Sequence, residues 1–406
     1  MTNPVKSIRM NWLDAARLSA AFSIISIHST TDSRGKAFID YDIQERIFPV
    51  LMRTVSELAS TEFFILVSLF LLAFKLERKP MPYGATMLLQ ARRLLIPFAF
   101  WTLFYAAFTL VKANAFGYVD PMLTKLAQPS TWVGYFVLGN SQYHMHFIPT
   151  IFLIFMFHPV FKLALANPLL GLLVIPFLAF NLSMSTWIWG NIADRTTIDY
   201  LARFAKVLSY VGYGFAAYSL LGLWQKKFDT EASKKLLMLG LLVIGVLFII
   251  KLTHAADSIE VGSFTPRVGA IYYSHAMLPI FLILAFLGTQ HFAWPDKVSQ
   301  WSKFTFGTYL MHPAVIDVID IFARNHTLPP YQFVLLKYAI TLSSVLILSI
   351  LISRIPLLAW TIGLGPIPFT KEYKAVQEKK AAKKAEEKKT ETETESKPKH
   401  ATAFLN

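Results

Sequence analysis

The chain contains no cysteine among its 406 residues. Disulfide-stapled scaffolds, thiolate catalysis, Cys–zinc centres and iron–sulfur clusters are therefore excluded. Charge is also scarce: Asp, Glu, Lys and Arg make up 16% of the residues, against about 25% in a soluble domain. No Walker A, GxGxxG, HExxH or GxSxG motif is present, so ATPase, dinucleotide, zincin and common hydrolase chemistry have no support. No internal repeat is visible, which weighs against the inverted-repeat transporter folds. What is present is apolar: 54% hydrophobic and 15% aromatic residues, with a mean hydropathy of +0.46. A chain this apolar cannot hide its side chains in one water-soluble core. The class that remains is an all-α integral membrane protein.

A bilayer core takes about 20 apolar residues in helical form. Ten runs qualify: 11–30, 55–75, 94–113, 147–166, 168–185, 205–224, 236–253, 271–289, 305–323 and 333–354. The split at Asn167-Pro168 is the weakest of them, and the run from Trp132 to Leu138 is too short to span. The first run is a retained helix and not a signal peptide, because Asp14 and Arg17 interrupt it and no cleavage site follows. Lys and Arg counts in the connecting segments favour cytoplasmic termini. On that count the inner segments include Lys6, Arg9 and Lys227, and the outer ones Arg53, Lys112, Lys251 and Arg267. Four long outer segments then face the other side: 31–54, 114–146, 185–204 and 252–271. The domain division is a membrane domain over 1–360 and a charged tail over 361–406. Residues 371–399 hold ten Lys and seven Glu, a composition that predicts disorder. The interleaved Glu residues argue against nucleic acid as a partner.

Ionisable side chains inside spans are costly and mark functional sites. The first run, NWLDAARLSAAFSIISIHST, carries Asp14, Arg17 and His28. Their spacing puts all three on one helix face across about 20 Å of rise. Glu57 and Glu62 lie near the start of the second run, Arg92-Arg93 opens the third, and His144 and His146 stand at the mouth of the fourth. His312 sits midway along the ninth, beside Pro313. His144 and His146 are i, i+2, a spacing that does not put two imidazoles on one helix face, so no metal site is expected.

These segments resemble the membrane acyltransferase-3 family. WLDAARLSAAFSIISIHS is similar to its opening helix, with Asp-x-x-Arg and the spacing from Arg17 to His28. ASTEFFILVSLFLLAFKL resembles its second helix; Ser68 is present, and Leu69 stands where the family has Gly. QARRLLIPFAFW resembles its basic third helix, and QYHMHFIPTIFLI its Tyr-His-Leu-Trp-Phe-Leu stretch, with His146 in the Trp position. FTFGTYLMHPAV resembles its Tyr-Leu-x-His-Pro helix. Five blocks in order cover roughly residues 10–350. The resemblance implies an O-acyltransferase that moves an acyl group, usually acetyl, from cytoplasmic acyl-CoA to a hydroxyl of an extracytoplasmic or lipid-linked saccharide. It implies a bacterial inner membrane, with lipids, acyl-CoA and a saccharide as partners and homo-oligomers allowed. No fused SGNH domain follows the last run. In this reading His28 is the base or nucleophile, Arg17 is held by Asp14, and His312 donates to the thioester oxygen or shuttles a proton. Arg92 and Arg93 grip CoA, while Glu62, Ser68, His144 and His146 contact the substrate. The alternative is a transporter or flippase of a lipid-linked sugar, and a third reading is a scaffold whose tail recruits partners.

Overall fold

Inside a bilayer every backbone N–H and C=O must be paired within the chain, which leaves apolar runs of this length to form helices. The computed structural model describes residues 10–226, 228–325, 328–378 and 381–382. Lys6, Arg9, Lys227 and most of the charged tail lie outside the described residues. Among those described there is no strand. The chain begins with α1 (Asn11–Ser29), α2 (Ile43–Ser56), α3 (Thr61–Arg78) and α4 (Tyr83–Phe116). Two short helices follow, α5 (Val119–Leu126) and α6 (Pro129–Val137), then α7 (Phe147–Phe155), α8 (His158–Phe161) and α9 (Leu163–Ala166). Next come α10 (Val174–Asn191), α11 (Arg195–Trp224), α12 (Thr230–Val261) and α13 (Gly269–Gly288). The last are α14 (Asp296–Ser302), α15 (Thr305–Ala323) and α16 (Pro330–Arg354).

Eight segments are long and apolar enough to cross a bilayer, and α7 with α8–α9, bent by 60°, supplies a ninth. Helix α1 is not among them, because Asn11, Asp14, Arg17 and His28 lower its hydropathy. It is nevertheless central, packed against α2, α3, α13, α14, α15 and α16. Buried Ala15, Ala16, Ala20 and Ala21 let those neighbours approach closely. All ten expected runs thus correspond to helices, in a multi-pass membrane protein.

The boundaries differ from the apolar runs. Helix α4 starts at Tyr83, so Arg92-Arg93 lies more than two turns inside it and does not open it. Nothing between Ala85 and Ile96 breaks a helix, so the backbone continues through the polar residues. The expected 185–204 loop is three residues long, 192–194, between α10 and α11. Asp194 ends it by accepting the Thr197 N–H at 2.7 Å, an N-cap. Within the bundle α11 is the most buried span, with 83% of its apolar window covered. Gly214 makes this possible, because a Cβ there would stand 2.2 Å from the Phe161 ring. Past α16, the turn Ala359–Ile362 packs back onto α4, where the Trp101 indole donates to the Thr361 carbonyl at 2.9 Å.

Candidate active site

The stripe on α1 is present, and its two ends face different cavities. His28, in the last turn, lines a cavity of about 90 Å³. Tyr143, His144 and His146 come to the same cavity from the turn before α7, Ser60, Thr61 and Phe64 from the start of α3, and Tyr309 from α15. The turn depends on Gly139. Its φ is +71°, and a Cβ there would lie 2.4 Å from the His146 Cα. Because residues 141–146 are a turn and not a helix, the i, i+2 histidines converge where a helix would splay them.

The rings are close. His28 stands 4.4 Å from Tyr143 and 5.4 Å, stacked, from His312, while His144 is 5.1 Å from His312 between centroids. His312 is fully buried and does not line the cavity; it sits behind the other histidines. Its Nδ1 lies 2.7 Å from the Tyr309 carbonyl. A carbonyl only accepts, so Nδ1 carries the proton and Nε2 of the neutral ring is an acceptor. That Nε2 is buried with no partner among the described residues.

Buried cations hold the frame. Arg53 donates to the Ile27 carbonyl at 2.9 Å and Lys337 to the Thr31 carbonyl at 3.1 Å, on either side of His28. Cations are favourable at such a helix C-terminus. Lys337, with none of its surface exposed, also pairs with Asp320 at 2.6 Å. Asp317 takes Lys112 at 2.5 Å and the Gln142 amide at 2.9 Å, while the Tyr309 hydroxyl donates to the His144 carbonyl. Helix α15 therefore fastens the histidine turn at two points.

Arg17 lies eleven residues before His28, about 17 Å along the axis. It pairs with Asp14 at 3.3 Å and donates to Thr305 Oγ1 at 3.4 Å. Asp14 also accepts from Ser299 and Ser302, each at 2.7 Å, and so ties α14 to α1. Arg17 lines a second cavity of about 130 Å³ with Ser68, Lys75, Gln90, Arg93 and Thr305. Ser68 is thus grouped with the cations, away from the histidines. Arg92, one residue before Arg93 and rotated from it by about a quarter of a turn, faces a groove of about 590 Å³ with Arg93 and Trp360. Glu62 accepts from Ser60 at 2.6 Å and Tyr210 at 2.7 Å, beside the histidine cavity.

A second cluster was not read from the sequence. Glu57 meets Arg53 at 2.9 Å, Lys251 at 2.6 Å and Arg267 at 2.8 Å. Lys251, counted as an outer cation, is 1% exposed inside the bundle. His275 lies 3.0 Å from Lys251 and 3.8 Å from Glu62, linking the two carboxylates. Lys251, His275 and Lys337 all sit within apolar runs, so the rule that singled out Asp14 applied to them too. Tyr143 and Tyr309 carried no such signal. Among the described residues no three His, Asp or Glu side chains are grouped to hold a metal.

The acyltransferase-3 sequence model, an acyltransferase domain, matches residues 10–354, from the start of α1 to the end of α16. The chain belongs to this acyltransferase family. No curated protein and no solved structure matches it. This acyltransferase is a multi-pass membrane enzyme, and every cavity residue named above except Trp360 falls within the matched segment.

Proposed function

We propose that the acyltransferase moves a short acyl group, acetyl above all, from cytoplasmic acyl-CoA to a saccharide hydroxyl on the other face of a bacterial inner membrane. The observation that carries this reading is the row of three compartments. The groove at Arg92 and the basic cavity at Arg17 share Arg93, and the basic and histidine cavities share Phe64 and Phe147. A donor with phosphates at one end and a thioester at the other fits such a row. Planar guanidinium groups suit the phosphates, and Asp14 holds Arg17 in position along the donor's path.

His28 faces the cavity and acts as the base, a role suited to imidazole near neutral pH. It takes the hydroxyl proton as the sugar oxygen attacks the thioester carbonyl carbon. The C–O bond forms, the C–S bond breaks, and CoA leaves as a thiolate that takes the proton from His28. His312 is a positioning residue behind it, its ring stacked on that of His28 at 5.4 Å. His144, His146 and Tyr143 contact the acceptor sugar, and Glu62 lies at the rim. A flippase needs a path as wide as a sugar, whereas two aromatic rings separate these cavities. Cytoplasmic termini are supported by the ion pairs: Arg53, Lys112, Lys251 and Arg267, four cations of the outer count, are tied up with Glu57 and Asp317.

The test is His28→Ala in membranes, at matched abundance, with labelled acetyl-CoA and acyl incorporation into glycan as readout. A positioned base contributes about 10²–10⁴-fold, and a loss of that size is expected. Full activity would remove His28 from the mechanism.

A further inference from the structure

The histidine and basic cavities lie end to end, and the residues common to their walls are Phe64 and Phe147. The two rings meet edge to face at 5.2 Å between centroids. Tyr309 completes the set, 6.0 Å from Phe64 and 5.4 Å from Phe147. Its hydroxyl is anchored on the His144 carbonyl, so the ring cannot swing aside without releasing the histidine turn. Phe147 is 4% exposed, while Phe64 is only partly buried and faces both cavities. The cations Arg17, Lys75 and Arg93 line the cavity on one side of this partition, and His28, His144 and His146 line the cavity on the other.

The transfer proposed above requires the thioester carbonyl to reach His28 while the anionic part of the donor stays with the arginines. The acyl group must therefore pass the partition. Beyond it the histidine cavity is the smaller of the two, about 90 Å³ against about 130 Å³ on the basic side. Each added methylene of the acyl chain must pass between the rings and be housed there together with the acceptor hydroxyl.

We propose that Phe64 and Phe147, backed by Tyr309, form a bottleneck that sets the acyl length this enzyme transfers, passing acetyl and rejecting chains of four carbons or more. The proposal rests on the acyl-CoA reading and adds which residues define the donor. Rejecting one extra methylene in an apolar pocket is worth about 10- to 200-fold. Two methylenes, acetyl against butyryl, then give a preference of at least about 100-fold.

The experiment supplies membranes carrying the protein with acetyl-CoA or butyryl-CoA and follows thiol release above that of membranes lacking it. The measured quantity is the ratio of the two rates within one preparation, in which the folded fraction cancels. Wild type should favour acetyl by about 100-fold or more. Phe64→Ala, which removes six ring carbons, should bring the ratio below about 10-fold, and the milder Phe64→Leu and Phe147→Leu should fall between. Unchanged ratios in all three variants would overturn the bottleneck while leaving the acyl-CoA reading intact. So would complete inactivity of all three at normal abundance, since a widened passage must still admit acetyl. Absence of thiol release from either donor with wild-type protein would instead strike down the donor assignment, and the bottleneck with it.

Discussion

Gly139→Ala isolates the geometry of the histidine turn. Two effects act at this position. A non-glycine residue at positive φ costs about 1–2 kcal/mol. The larger effect is steric: the new methyl would lie 2.4 Å from the His146 Cα and 2.6 Å from its nitrogen, where ordinary contact begins at 3.4 Å. The backbone at His146 must therefore retreat by about 1 Å, carrying Tyr143 and His144 with it. A misplacement of about 1 Å in a catalytic site can cost about 10²-fold in rate. Gly117→Ala is the control, because its φ of +77° imposes the same backbone cost but nothing lies within 4 Å of its Cβ. Acyl transfer is measured in membranes for both variants at matched abundance, with KM for acetyl-CoA. Gly139→Ala should lose about 10²-fold in kcat with KM little changed, since the donor cations lie beyond the aromatic partition. Gly117→Ala should retain near-normal kcat. Equal kcat in the two variants, or a loss in Gly139→Ala expressed wholly in KM, would refute the role given to the turn.

Arg17→Lys keeps the charge and loses the planar fork, so it should fail to span Asp14 and the donor together. One charge-assisted hydrogen bond is worth about 1.5–3 kcal/mol, so kcat/KM for acetyl-CoA should drop roughly 10- to 100-fold; wild-type kinetics would leave Arg17 as a topological anchor only. Replacing the Asp320–Lys337 pair by Leu and Met should leave membrane abundance near normal, because exchanging a buried ion pair for packed apolar residues is often neutral. Transfer should still fall at least about tenfold, since the Thr31 carbonyl beside His28 loses its donor; unchanged transfer would make the pair purely structural. A reactive tag at residue 193, between α10 and α11, should be labelled from outside intact cells and a tag in the C-terminal tail should not, and the reverse pattern would invert the assigned orientation.

Hydropathy located the helices because lipid burial acts on whole segments, and all ten runs became helices. It located their ends poorly. Helix α4 continues nine residues before Arg92, and α12 runs through Val261, because a helix stops at a breaker and not where apolarity fades. His28 and His312 were legible as ionisable residues in apolar helices. That they stack at 5.4 Å was not, since 284 positions separate them. The convergence of His144 and His146 was hidden for a different reason: the i, i+2 argument assumes a helix, and Gly139 makes a turn instead. The Glu57 cluster escaped because its partners Lys251 and Arg267 are 194 and 210 positions away, and a carboxylate near a helix start has an ordinary meaning there.

The buried charges make sense as registration. A buried ion pair adds little net stability, because desolvation offsets most of the attraction. Here each pair holds a segment beside a histidine, two through the carbonyls of Ile27 and Thr31 and one through the Gln142 side chain. Arg53, paired with Glu57, grips the carbonyl of Ile27, and Lys337, paired with Asp320, grips that of Thr31. Asp317, paired with Lys112, grips Gln142, next to Tyr143. Three carboxylates from two segments of the bundle thus fix the end of α1 and the turn before α7 against each other. Apolar packing alone would allow those two elements to slide by fractions of an ångström, whereas hydrogen bonds to named carbonyls fix distance and direction together. The rings at 4.4–5.4 Å around His28 and His312 are the outcome of that fixing.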